Sequence, residues 1–130
     1  MTGTVLAVAA SMVFNLVCSG TEDREGLLNG LRPANERIAP TSEPFREVYR
    51  VDLTQRRWCS GSCTLTSGLH SVTAQTITFE YETSSPYRHT FVSRESARYL
   101  STYYPPNAIK AFRYGRCQRA TFTGFPKQRF

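Results

Sequence analysis

The sequence predicts an all-β domain: a single small antiparallel meander of five to six strands, stapled by a disulfide and open to closure into a partly open barrel. Three observations predict it. Apolar residues recur at period two in several short segments of the second half. Those segments are separated by Pro, Gly, Ser and Asn at close intervals. No stretch sustains the 3.6-residue period of a long helix. At 130 residues and 40% hydrophobic side chains the chain is long and apolar enough for one packed core.

The pass along the chain divides it into three parts. Residues 1–20 carry no charged side chain and include "TVLAVAASMVFNLVCSG". The apolar run is too short to span a bilayer, and it ends in small residues, so it reads as a secretory signal peptide cut before Thr21. A rival reading makes Cys18 the acylated residue of a lipid anchor, although Val17 fits poorly ahead of it. Residues 21–44 are polar and broken by Gly26, Gly30, Pro33, Pro40 and Pro44, and read as a linker or arm.

The β domain is expected over 45–130. In "FREVYRVDL", Phe45, Tyr49, Val51 and Leu53 share one face. "TQRR" is a turn. In "TITFEYE", Ile77, Phe79 and Tyr81 alternate with Thr78, Glu80 and Glu82, the clearest strand in the chain. "HTFVSRESARYLSTYY" is too long for one strand and reads as a hairpin turning near Glu95–Ser96. "PPN" at 105–107 makes another turn, "IKAFRYGRC" a further strand, and "TGFPKQRF" an irregular tail. Sequential strands usually pair, hence the meander.

The cysteines bear on compartment. "WCSGSC" sets Cys59 and Cys63 behind Trp58, the only tryptophan. A redox pair wants two intervening residues at a helix start, and neither condition holds. Zinc would need Cys59, Cys63 and Cys117 with His70 at loose spacing. A structural disulfide fits an exported chain better. The longer loop gives the larger entropic gain, which favours Cys117 with Cys59 or Cys63 over Cys59 with Cys63. With Cys18 removed or acylated, one thiol would be left over.

Charge is unevenly placed. The chain carries +6 overall: residues 21–48 are net −2 and residues 49–130 net +8. Lys110, Arg113, Arg116 and Arg119 lie close together with no acid among them and are the anion-binding candidates, interleaved with Phe112 and Tyr114.

No nucleophile elbow, zinc-binding helix or P-loop occurs. Glu80 and Glu82 form a carboxylate pair on a strand face that solvation explains. His70 and His89 are isolated. No catalytic residue, cofactor or metal ligand is assigned.

The string "YRVDL…RRWCSGSC…TITF…VSRESARY…YGRCQRATFTGFPKQRF" resembles a group of small uncharacterised secreted proteins of proteobacteria over residues 45–130. The resemblance implies export and a β fold, and no activity. It departs at Ala97, where a glycine would be expected after "RES". The expected function is that of a non-catalytic exported envelope protein, periplasmic or secreted, acting as a binding or structural module. Its partner would be an anionic envelope component or another envelope protein, with nucleic acid less favoured. The alternatives are a small enzyme with a scattered site, or a basic sheet binding anionic polymer or single-stranded nucleic acid.

Overall fold

Among the described residues nine strands follow one another: β1 (Val13–Gly26), β2 (Thr41–Asp52), β3 (Arg57–Ser60), β4 (Ser67–Gly68), β5 (Ser71–Val72), β6 (Thr76–Glu82), β7 (Tyr87–Ser93), β8 (Arg98–Tyr104) and β9 (Ile109–Ala120). The computed structural model describes residues 11–26, 31, 33–37, 39–84, 86–105 and 109–127. All strands join one antiparallel sheet in the order β4-β3-β2-β1-β9-β8-β7-β6-β5, and the sheet curls into a half-barrel. No helix among the described residues is long and apolar enough to cross a membrane.

All-β class, antiparallel pairing and disulfide stapling are therefore as expected, but the strand count is nine rather than five to six. Two of the extra strands, β4 and β5, are two residues long and are defined only by pairing with β3 and β6.

The largest departure is β1. The expected boundary at residue 20 falls inside a strand that pairs with β2 on one side and β9 on the other. The expected linker likewise loses residues 21–26 to β1 and residues 41–44 to β2. The physical reason is an alternation hidden in the apolar run. Phe14, Leu16 and Cys18 are buried, while Val13, Val17 and Ser19 point the other way. Residues 1–10 of the expected signal lie outside the described residues. Parts of the expected linker, of the "PPN" turn and of the irregular tail do so as well, at 27–30, 32, 38, 106–107 and 128–130.

The core fills one end of the concave face. Tyr49 from β2, Trp58 from β3, Phe79 from β6 and Tyr99 from β8 pack ring against ring. The Tyr49–Phe79 centroids are 4.3 Å apart and those of Trp58–Phe79 5.2 Å apart. Phe14, Leu16, Val51, Leu53, Ile77 and Val92 surround them. Each such side chain contributes roughly 1.5–3 kcal/mol by burial. The two buried phenols satisfy each other, Tyr49 Oη with Tyr99 Oη, and the Trp58 indole N–H donates to the Gly68 carbonyl.

Two disulfides staple the sheet. Cys18 in β1 bonds Cys117 in β9 directly opposite, and Cys59 bonds Cys63 across the Ser60–Ser62 turn, leaving no free thiol. This corrects the preferred connectivity: Cys117 pairs with neither Cys59 nor Cys63. It also removes the leftover thiol, the lipid anchor on Cys18, whose sulfur is spent and fully buried, and the Cys₃His zinc alternative.

The β7–β8 hairpin turns where expected, over residues 94–96. Ala97 closes it at φ 62°, with its N–H donating to the Ser93 carbonyl and its own carbonyl accepting from the Cys117 N–H. An L-residue pays a steric cost there that glycine does not. Ala97→Gly should raise stability by about 1 kcal/mol, read as a higher urea midpoint with unchanged slope. A lower midpoint would show that the methyl group contributes more packing than the backbone loses in strain.

Candidate concave binding cleft

The register of the sheet determines which side chains meet on the concave face, because residues directly opposite share a face. One row runs across five strands: Glu80 (β6), Thr90 (β7), Ser101 (β8), Arg113 (β9) and Glu22 (β1). The next row, farther from the core, is Glu82, Arg88, Tyr103, Ala111 and Arg24. Together with Glu47, Ser60, Tyr49 and Tyr99 these side chains, Glu82 excepted, line most of a cleft of about 370 Å³. The concave face is thus apolar at one end and charged at the other, with the Tyr49–Tyr99 pair at the boundary.

A bulge puts Glu80 there. The β6–β7 register shifts between Thr78 and Glu80. Past the bulge the phase reverses: Phe79 is buried, whereas Tyr81, expected beside it on the core face, is 41% exposed. Tyr81 instead lies between His70 and His89, with centroids 5.5 and 4.6 Å away, and His89 continues onto Phe91 at 4.7 Å. Burial and the charge of neighbouring His70 hold the His89 imidazole below its ordinary value.

The cleft is electrostatically organised around Glu22. One of its oxygens accepts from Arg113 Nε at 2.6 Å and the other from Arg24 Nε at 2.8 Å. Burial alone would raise the Glu22 carboxyl, but the two guanidinium hydrogen bonds outweigh it and hold the group below its ordinary value of 4.5. Arg113 also lies 5.3 Å from the Phe45 ring centroid, and Arg88 stacks 4.6 Å over Tyr103. Thr90 and Ser101 hydroxyls bond at 2.8 Å. Burial raises both phenols, Tyr49 most of all, with the Tyr99 hydroxyl adding to its shift.

The sign of the Glu22 contribution follows from its lowered folded-state value. Its stabilisation is complete above the unfolded-state pKa and is lost as pH falls through the folded one. Glu22→Gln should therefore cost about 2 kcal/mol at pH 7, the worth of a charged hydrogen-bond pair. The gap between the two proteins should begin to narrow near the unfolded carboxyl value of about 4 and go on closing as pH falls through the lower folded one. Urea melts of both from pH 7 to pH 3 check this; a gap constant with pH would refute it.

The four basic candidates are not brought together, since alternate residues of one strand face opposite sides. Arg113 enters the cleft. Arg119 lies 4.2 Å from the Phe14 ring centroid and donates to the Ser11 carbonyl. Lys110 and Arg116 face the convex side, where Lys110 pairs with Glu25. Sequence reading missed Glu22 and Arg24, which lay in the presumed linker, and Arg88, whose row is visible only through register.

Two other hollows are less organised. An apolar one of about 300 Å³ opens at the far end of the core, but Arg94 and Arg119 at its lip are already bonded to the Thr73 and Ser11 carbonyls. One of about 500 Å³ lies among loop residues including exposed Leu65 and Lys127. Comparison with protein-family models, with curated proteins and with solved structures returns no match for this chain.

Proposed function

We propose that this chain is a non-catalytic ligand-binding module of an oxidising, extracytoplasmic compartment, periplasmic or secreted, and that the concave cleft is its site. One observation carries the reading: donors and acceptors from five adjacent strands converge in the Glu80-to-Glu22 row on a rigid, disulfide-braced face. The cleft falls within the volume range of small-molecule sites. Its guanidinium groups meet ligand acceptors and its free carboxylates meet ligand donors, which suits a small polar ligand bearing both. The compartment follows from two disulfides that use every cysteine, since such bonds persist where the medium is oxidising.

Both halves are testable. Thiol alkylation in intact cells before lysis should label none of the four cysteines; labelling of all four would place the protein in a reducing compartment. For the site, amide chemical shifts can be followed while glucose oligomers, free amino acids and short dicarboxylates are titrated. Perturbations should gather on Glu80, Arg88, Ser101 and Arg113, and Arg88→Ala should weaken binding at least tenfold. Perturbations confined to other surfaces would overturn the cleft as the site.

A further inference from the structure

The convex face carries a row that the sequence does not reveal. Arg98 in β8 stands directly opposite Arg116 in β9, Arg116 opposite Ser19 in β1, and Ser19 opposite Arg46 in β2. All four are exposed. No carboxylate stands in the row. The convex-facing acids of β1, Asp23 and Glu25, lie farther along the strand, beginning about 13 Å away at the strand rise, and Glu25 is taken by Lys110. Four neighbouring strands make the row roughly 14 Å long. Like charges directly opposite each other destabilise a sheet, so the Arg98–Arg116 pair works against the fold of the free protein. An anionic surface would reverse that cost.

We propose that Arg98, Arg116 and Arg46 form a docking row that seats the protein on the phosphate groups of a lipid membrane surface. Guanidinium forks match phosphate oxygens two at a time. The adjacent convex row supplies Tyr114, 45% exposed, opposite Leu100, an amphipathic pair of the kind that settles at headgroup depth. Lipid phosphate is favoured over nucleic acid because the two disulfides belong to compartments where membrane surfaces are at hand and nucleic acid is scarce. The row lies on the opposite face of the sheet from the cleft, so it leaves the cleft open and does not depend on the reading of it.

The experiment is co-sedimentation of the full chain with vesicles of phosphatidylglycerol in phosphatidylcholine, against pure phosphatidylcholine, over a range of sodium chloride concentrations. Three proteins are compared: wild type, the row variant Arg46→Gln/Arg98→Gln/Arg116→Gln, and a variant of equal charge change elsewhere, Arg56→Gln/Arg57→Gln/Lys127→Gln. Each arginine at an anionic surface is worth about fivefold in partitioning, so the row variant should bind about a hundredfold more weakly. The equal-charge variant should lose less than threefold. The row variant should also melt no lower than wild type at low salt, since a like-charge contact has been removed.

Equal losses in the two variants would reduce the effect to net charge and overturn the row. A row variant that binds vesicles like wild type, or that melts markedly lower, would overturn it as well. Row-dependent retention of single-stranded DNA with no vesicle binding would overturn the membrane as the partner.

Discussion

Replacing Cys18 and Cys117 together by alanine should lower stability by about 4–5 kcal/mol, whereas replacing Cys59 and Cys63 should cost about 2 kcal/mol or less. The two bonds share a chemistry and differ in what they constrain. Cys18 and Cys117 are 99 positions apart, Cys59 and Cys63 only 4. In the chain-entropy account a closed loop of about 100 residues is worth about 4.7 kcal/mol, and the logarithmic dependence on length leaves a five-residue loop with less than half of that. The long bond also fastens the central pair of strands, β1 to β9, so its loss loosens the sheet at its middle. Urea melts of the two double variants check the contrast. Similar losses would mean that the long bond closes a denatured ensemble already compact around β1 and β9. Peptide mapping without reductant should find the 18–117 and 59–63 pairs and no others.

The second large effect is expected at Gly115. Gly20 and Gly115 face each other across the β1–β9 pair. A Cβ added at Gly115 would stand 1.9 Å from the Ser19 carbonyl oxygen, and one at Gly20 would stand 2.1 Å from the Tyr114 carbonyl oxygen. Both obstacles are backbone, so no rotamer can yield, and the strands themselves must separate just beside the Cys18–Cys117 bond. Gly115→Ala should cost at least about 3 kcal/mol, at the upper end of overpacking effects. Gly61→Ala is the control: nothing lies within 4 Å of its added methyl, and only the left-handed backbone resists. It should lose about 1 kcal/mol. Equal losses at the two sites would show that the central strands part more easily than their spacing implies.

What could be read in advance depended on how locally each feature is encoded. Strand β6 was legible to the residue because Ile77, Phe79 and their polar neighbours alternate within one segment, and the β7–β8 turn because the stretch from His89 to Tyr104 is too long for a single strand. Strand β1 was not, because Val13 and Val17 on its outer face are as apolar as Phe14 and Leu16 on its inner one, which turns an alternation into an apparent block. The reversal of phase at Thr78–Glu80 leaves no compositional trace, so Tyr81 was assigned to the core and Glu80 to solvent. Proximity in sequence misled in the basic segment: Arg113 and Arg116 differ by an odd step and take opposite faces, while Arg98, Arg116 and Arg46 meet only through the order of the strands. The cleft was illegible for the same reason, since each of its members comes from a different strand.

The way the sheet ends has a consequence for self-association. Its two outermost strands, β4 and β5, are consecutive in the chain, and only Leu69 and His70 lie between them. The Leu69 N–H reaches back to the Arg56 carbonyl and the His70 N–H forward to that of Thr78, so adjacent residues fasten opposite margins of the half-barrel. Polymerisation through strands needs two sticky ends per particle. Here both margins are fastened by the same six-residue stretch, Ser67 to Val72, which covers two residues of β3 at one end and two of β6 at the other. A protease cut at that one place would remove the covalent tie between the two margins and so weaken both terminal pairings in a single step, leaving two strand edges able to template addition of another chain.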